Sequence, residues 1–406
     1  MSDINIEMFP ALGGDCLLVT LGNKKKTNIL IDGGYKETFY NYLKPRLQHM
    51  KKNGERLDLV IVTHIDADHI EGIIELLREN GSSKKANIIS IGEIWHNSYR
   101  HLQFLKDNDK KIDFREKAIL LDKIVQGYQN KQCNSENTDI SAKDGSTLAA
   151  LIYAGGYNWN TSFNGSAINV DSKELININS EFKLRLLAPN SNSLQRLSKF
   201  WLKELRKEKY DFTLTDNELF DDAFEFFMLN QSELQYSDED TDISNRKENI
   251  DIESLATKKE SLDNSPVNGS SICFIVEYQQ KKVLFLADSL PQVIYSEIQK
   301  LVEKESYIPT FDLIKVSHHG SSRNTTQKLL ELIDSKHFFF STNGKKHKHP
   351  SPETIAKIVI RNGGLRKLFF NYPLTYANFL REDLQLKYNY VIESPPEGEK
   401  ITSIKV

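Results

Sequence analysis

At 406 residues, 39% hydrophobic and 27% charged, the chain can build one large core with insertions or two ordinary domains. Its formal charge of −3 and pI near 6.4 argue against a dedicated non-specific nucleic-acid binder, whose affinity needs a global basic excess; the local strip Lys345-Lys346-His347-Lys348-His349 reads equally as a phosphate contact or a solvated loop. Three cysteines without metal spacing, no basic-then-apolar segment at the N-terminus and no apolar run near the roughly 20 residues of a bilayer span lead to the expectation of a soluble cytoplasmic protein, with Cys16 and Cys273 as buried thiols.

In chain order, Cys16 to Thr20 and Thr27 to Ile31 are short apolar runs with strand character, the second ending at the tight turn Asp32-Gly33-Gly34. Phe39 to Lys52 has helical spacing. Leu57 to Thr63 is a continuous apolar run, the pattern of a strand buried on both faces. After His64 to His69 the segment EGIIELLREN is helical and stops at Asn80-Gly81, and Asn87 to Trp95 is a further strand. Residues 97–165 turn polar and helical and read as an insertion beside the core. Phe182 to Leu187 returns to strand character, and Leu194 to Leu229 reads as two helices. Residues 191–267 form a second, helical insertion, whose acidic part, 231–266, is nearly free of large apolar residues and is expected to be a mobile loop. Ser271 to Tyr278 and Val283 to Ala287 form a hairpin leading to Asp288. Phe311 to Val316 leads into Ser317-His318-His319-Gly320, followed by a strand at His337 to Ser341 and a helix at Pro352 to Ile360. Strands near both ends with long inserts between them point to an α/β sandwich in a single domain spanning 1–406.

The densest chemistry is His64-Ile65-Asp66-Ala67-Asp68-His69, with four metal-ligand side chains in six residues between a buried strand and a helix. A metal site needs convergent ligands on a short, rigidly held loop, and a solvated face would not concentrate two histidines and two aspartates at the end of an apolar strand.

This segment resembles the His-x-His-x-Asp-His signature of metallo-β-lactamase-fold hydrolases, with Asp66 where the second histidine usually stands. The resemblance implies an αββα sandwich with two insertions. It also implies one or two divalent metal ions, zinc or manganese, held by His64, Asp66, Asp68, His69, Asp288 and His319. Asp32 would orient the site, and with Asp288 hold the water that the metal activates. Within the family the chain is most similar to the hydrolase domain of the competence protein ComEC and its free-standing relatives, through Gly14-Asp15, Asn268, Ser270, the HHGS segment, Asn343-Gly344 and His349-Pro350. The likeness covers residues 1–95 and 268–360. It departs where the fold normally supplies another histidine: Ala188, Pro189 and Asn190 stand there, leaving His96 either to fill the gap or to be structural. Replacing a histidine by Asp66 adds oxygen and negative charge, which moves the metal preference toward harder ions such as Mn²⁺ without excluding Zn²⁺.

Three functions are consistent with these residues. The first is a phosphodiesterase or nuclease acting on nucleic acid or a small nucleotide. Here Asp68 belongs to the catalytic centre, His318 or His349 supplies a proton, and Ser321, Arg323 and Asn324 after the HHG turn contact phosphate. The second is hydrolysis of a carboxylic ester, lactone or thioester in a pocket lined by Trp95, Tyr157, Trp159 and Phe163. The third is a non-catalytic or conditionally active subunit of a multi-protein bacterial system, such as one for phage defence.

Overall fold

A computed structural model describes residues 4–23, 26–102, 115, 147–206, 221–225, 227–228, 251–345, 348–374, 376–395 and 401–406. Fourteen of the sixteen strands among the described residues lie in two large sheets. The first is built from β1 (Ile4–Met8), β2 (Leu17–Leu21), β3 (Thr27–Ile31), β4 (Leu57–Ile61) and β5 (Ile91–Trp95). The second contains β6 (Leu175–Asn177), β7 (Phe182–Ala188), β8 (Cys273–Tyr278), β9 (Lys281–Phe285), β11 (Leu313–Lys315), β13 (His337–Phe340), β14 (Arg366–Phe370) and β15 (Tyr390–Glu393). β10 (Thr310–Phe311) and β12 (Asp334–Ser335) form a small parallel pair, and β16 (Thr402–Lys405) returns to the first sheet beside β1. The first sheet runs β16-β1-β2-β3-β4-β5 and the second β15-β14-β13-β11-β9-β8-β7-β6.

The period-two geometry of a strand explains why these segments read as unbroken apolar runs. Along β2, Leu17, Val19 and Leu21 face the space between the sheets while Leu18 faces the outer helices, and along β4 Leu59 and Ile61 face inward while Val60 faces out. The inter-sheet core joins Ile6, Val19, Ile29 and Ile61 to Leu184, Phe274, Val283 and Phe339. Outside the first sheet pack Leu47, Ile70, Ile73 and Leu77, from helices Lys44–Lys52 and Ala67–Asn80. Outside the second pack Ile294, Ile298, Ile355 and Ile358, from helices Pro291–Glu305 and Pro352–Val359. The order helix, sheet, sheet, helix is the expected αββα sandwich.

The insertions differ from their sequence reading. Of the acidic segment expected to be mobile, residues 231–250 lie outside the described residues, but 251–266 is fixed to the core. Helix Ile252–Ala256 starts at Asp251, whose Oδ1 accepts from the Glu253 and Ser254 amides at 3.1 and 3.3 Å, and it buries Ile252 among the helices on the second sheet. Further on, Glu260 accepts at 2.6 Å from Lys357, which is buried in helix Pro352–Val359. A few apolar residues and one ion pair to a buried lysine anchor a stretch whose average composition is that of a solvated loop. The two insertions also join each other. His96 Nε2 meets Glu225 at 2.8 Å and Arg100 Nη2 donates to Asp221 at 2.6 Å, next to helix Leu148–Ala154 of the first insertion. Residues 103–114 and 116–146, with Cys133, lie outside the described residues. Cys16 and Cys273 are buried free thiols. No helix among the described residues is long and apolar enough to cross a membrane.

Candidate metal centre

In the first sheet β3, β4 and β5 are parallel, and in the second β9, β11, β13 and β14 are parallel. The loops leaving the C-terminal ends of these strands meet at one edge of the sandwich, where α/β sheets characteristically bind ligands. β3 delivers Asp32, β4 delivers Thr63 to His69, β9 delivers Asp288, and β11 delivers His318 and His319. Two glycines let the backbones cross. A Cβ on Gly72 would lie 2.0 Å from Gly33 O, and one on Gly14 would lie 1.9 Å from Asp68 O. The Gly33 amide donates to His69 O and the Gly72 amide to Gly34 O, both at 2.8 Å, so the turn after β3 is stitched to helix Ala67–Asn80. Asp66 occupies the N-cap position of that helix but makes no capping bond, and its Oδ2 lies 3.2 Å from His64 Nε2.

Every imidazole in the cluster is oriented through Nδ1. His69 Nδ1 lies 2.8 Å from Asp32 Oδ2, an oxygen that only accepts, so this nitrogen carries the proton. Thr63 Oγ1 donates its one hydrogen to Asp32 Oδ2 at 2.8 Å and therefore accepts from His64 Nδ1 at 3.0 Å. His319 Nδ1 donates to the Ser341 carbonyl at 3.0 Å. The Asn324 amide nitrogen faces three acceptors, Asp263 Oδ2 at 2.9 Å and the carbonyls of Asp288 and Ser289 at 3.3 and 3.4 Å, which turns its oxygen to His318 Nδ1 at 3.0 Å. All four rings thus direct Nε2 inward. The Nε2 atoms of His64, His69 and His318 lie 3.7 Å from Asp288 Oδ2, and that of His319 lies 3.8 Å away. Asp68 Oδ2 stands 3.4 Å from His319 Nε2.

These are the donors a cation requires. His64 Nε2, His69 Nε2, His319 Nε2 and Asp288 Oδ1 are buried without a hydrogen-bond partner, an arrangement costly for polar atoms unless an ion takes their lone pairs. His64, His69 and Asp288 bring ligand atoms within 4.8 Å of one another, as do Asp68, His69 and His319. Ligand atoms each about 2.0–2.2 Å from one ion stand at comparable separations. Protons show the same field. Burial alone would discharge His69 and His319, yet Asp288 and the neighbouring carboxylates hold His69 protonated well above the usual imidazole range and His319 up to about 9. Asp68 is held down to about 2 against its burial by His69 and His319. The residues present therefore fit a divalent ion.

Residues 10–122 match the family model of the metallo-beta-lactamase superfamily. The fold is that of a metallo-beta-lactamase. Over 74 residues the chain is 42% identical to a UPF0173 metal-dependent hydrolase of Saccharolobus solfataricus, a match covering 18% of this chain and 29% of that protein. Among solved structures it is similar to CmlA, a diiron beta-hydroxylase from Streptomyces venezuelae (TM-score 0.36, 9% identity, 100% of this chain and 54% of that one). It is also similar to a long form RNase Z from yeast (TM-score 0.32, 10% identity, 91% and 37% covered).

At this site the structure brings together His64, Asp66, Asp68, His69, Asp288, His318 and His319, and gives several residues other surroundings than the sequence suggested. Asp32 is fully buried, its Oδ1 accepting from the Thr63 amide and its Oδ2 from Thr63 Oγ1 and His69 Nδ1, which places it behind the ligands as an orienting carboxylate. Ser321 and Asn324 are buried rather than open to phosphate. Ser321 Oγ accepts from the Arg323 amide at 3.2 Å, and Asn324 is spent on His318 and Asp263. Arg323 is exposed, and its Nη2 donates to the Leu262 carbonyl at 3.4 Å. The half-buried His349 packs edge-on against His318, with ring centroids 5.5 Å apart. Of the neighbouring strip, residues 346 and 347 lie outside the described residues. His96 is bound to Glu225 and stacked on Trp159, and so does not fill the position that Ala188, Pro189 and Asn190 leave empty of histidine. Of the aromatics considered for an ester pocket, Trp95, Tyr157 and Phe163 are core, with Trp95 edge-on to Phe163, and Trp159 is half-buried and stacked on His96.

Sequence reasoning missed Thr63, Lys315 and Asp263, and gave Asp15 no role. Asp15 and Lys315 form a buried ion pair, and Asp15 Oδ1 lies 3.5 Å from His319 Nδ1. The one available signal was a lysine inside an apolar strand, which demands a buried partner.

Proposed function

We propose that the chain is a metal-dependent hydrolase that cleaves phosphodiesters, in nucleic acid or in a small nucleotide, with a site of the ComEC hydrolase-domain type. The observation that carries the reading is the set of four inward Nε2 atoms around one oxygen of Asp288, flanked by Asp66 and Asp68. Three carboxylates in the ligand set suit Mn²⁺ as well as Zn²⁺. When bound, one or two such ions supply a water acidified toward neutrality and charge stabilisation at the phosphoryl oxygens. The chain's own groups do the rest. Asp68, ionised down to about 2, holds the attacking water in place. His318, whose side chain is 26% exposed and so reachable from solvent, hands a proton to the leaving oxygen. Arg323, exposed just after the HHG turn, binds the anionic substrate. The net charge of −3 suits a small nucleotide, or a strand delivered by a protein partner in a multi-component system, better than unaided capture of long DNA.

The test is elemental analysis of the purified protein together with cleavage of bis-p-nitrophenyl phosphate and single-stranded DNA in added Mn²⁺ or Zn²⁺. Asp68→Ala and Asp288→Ala serve as controls. Metal-dependent cleavage lost in both variants supports the proposal. Bound metal with no cleavage of either substrate overturns the phosphodiester part, in favour of another ester or a non-catalytic subunit.

A further inference from the structure

Asp263 lies in the second insertion, yet it is buried against the metal centre. Its Oδ2 accepts from Asn268 Nδ2 at 2.7 Å and from Asn324 Nδ2 at 2.9 Å, and its Oδ1 accepts from the Ser265 amide at 2.9 Å. The same Oδ2 is 3.7 Å from His318 Nδ1. Asn268 Nδ2 also stands 3.4 Å from His318 Nδ1, a longer approach than the 3.0 Å to Asn324 Oδ1. A carboxylate offers only acceptors, so it forces both amides to present nitrogen to it. Once Asn324 has turned its nitrogen to Asp263, its oxygen must face His318. That oxygen accepts the Nδ1 proton and leaves Nε2, on the Asp288 side, as the nitrogen available for proton transfer.

We propose that Asp263 is a positioning residue of the metal centre, acting through Asn324 to fix the ring and tautomer of His318, so that the second insertion completes the site. The logic matches that of Asp32 toward His69, but the carboxylate comes from outside the strand-end loops and reaches its imidazole through an amide. The kinetic part of the test rests on the hydrolase reading; the tautomer part does not.

The experiment uses the full chain labelled with ¹⁵N-histidine, metal-free and zinc-loaded, at a pH above the imidazole titrations. Long-range proton–nitrogen spectra tell protonated from bare ring nitrogens, and His318→Ala identifies the signals. The wild type is expected to show His318 protonated on Nδ1 alone in the metal-free chain. In Asp263→Asn the nearest and only charged of the three acceptors of Asn324 Nδ2 is lost, leaving the longer contacts to the Asp288 and Ser289 carbonyls at 3.3 and 3.4 Å, and His318 is expected to become a mixture of tautomers. Asn324→Ala should do the same, and it carries the comparison if Asp263→Asn does not fold. Turnover of bis-p-nitrophenyl phosphate should fall about 10–100-fold in kcat, the usual effect of losing a partner behind a site histidine, with KM little changed. In a His318→Ala background, Asp263→Asn should cost no more than about twofold, because the residue it acts through is gone. A His318 tautomer unchanged in both variants, or losses from Asp263 and His318 that multiply, would overturn the proposal. A chain that turns over none of the substrates while its tautomer still shifts would reject the hydrolase reading alone.

Discussion

Thr63→Val tests whether one hydroxyl holds two imidazoles. Thr63 is buried, and its Oγ1 donates to Asp32 Oδ2 at 2.8 Å while accepting from His64 Nδ1 at 3.0 Å. Valine fills nearly the same space, so the change removes hydrogen bonds without opening a cavity. Asp32 Oδ2 keeps His69 as a donor, and Oδ1 keeps the Thr63 amide, so the carboxylate is weakened rather than abandoned. The stability cost should therefore fall near the low end of the roughly 1–3 kcal/mol for a buried polar group losing a partner. His64 loses the acceptor of its Nδ1 proton, and its ring becomes free to change tautomer. Metal affinity should fall about 10–100-fold, equivalent to about 1.4–2.7 kcal/mol. Competition with a chelating dye measures the affinity, and thermal unfolding with and without zinc measures the stability. Thr63→Ser restores the hydroxyl and should restore both. Zinc affinity in Thr63→Val within threefold of wild type would refute the argument, because the tautomers would then be set by something other than this hydroxyl.

Four further outcomes follow from the same geometry. Metal binding must displace the proton that His319 keeps up to about 9, so zinc affinity should climb with pH up to that value, as isothermal titration between pH 6 and about 9 would register. The raised value also stabilises the metal-free fold: from His319 alone, that contribution is complete below the unfolded value of about 6.5 and is lost as pH rises through about 9, so the Tm of the metal-free chain should decline across that window. Chelation should lower the stability of the loaded protein, by about 2.7 kcal/mol relative to free metal at 100 times its Kd, and a Tm unchanged by chelator would count against tight binding. Gly72→Ala drives a Cβ to 2.0 Å from Gly33 O, backbone against backbone, and should cost at least about 3 kcal/mol by denaturant unfolding while also weakening metal binding. Gly54→Ala, where a Cβ meets nothing but φ is +72, is a control for the backbone cost alone.

The parts of the molecule that were legible in the sequence are those where one local pattern determines the outcome. Thr27 to Ile31 and Leu57 to Ile61 had to be buried strands because an apolar run of that length has no solvent face, and the four ligands from His64 to His69 stand together in one loop. Asp288 and the His318-His319 pair were reached through resemblance to a family, since nothing local relates them to His64 across more than half of the chain's length. What escaped was decided by tertiary partners. Asp263 sits in a segment whose acidic composition reads as solvated, and its meaning comes from Asn324 and Asn268. Asn324 itself reads as a surface residue after a turn, and only the three acceptors around its nitrogen show that it is buried. The chain beyond Ile360 drew no reading, although it adds β14 and β15 to one sheet and sends β16 back to pair with β1 in the other.

The ligands come from both layers of the sandwich, His64 to His69 from the first sheet and Asp288 to His319 from the second. During synthesis the first group leaves the ribosome long before the second exists, and by itself it offers only the half-site of a loop next to a helix. Tight metal capture must wait until the strand before His318 has been made and laid against its neighbours. Loading is therefore a late event in the life of the chain, and the ion, once in, would act as a rivet between two layers whose ligand loops are made at different times.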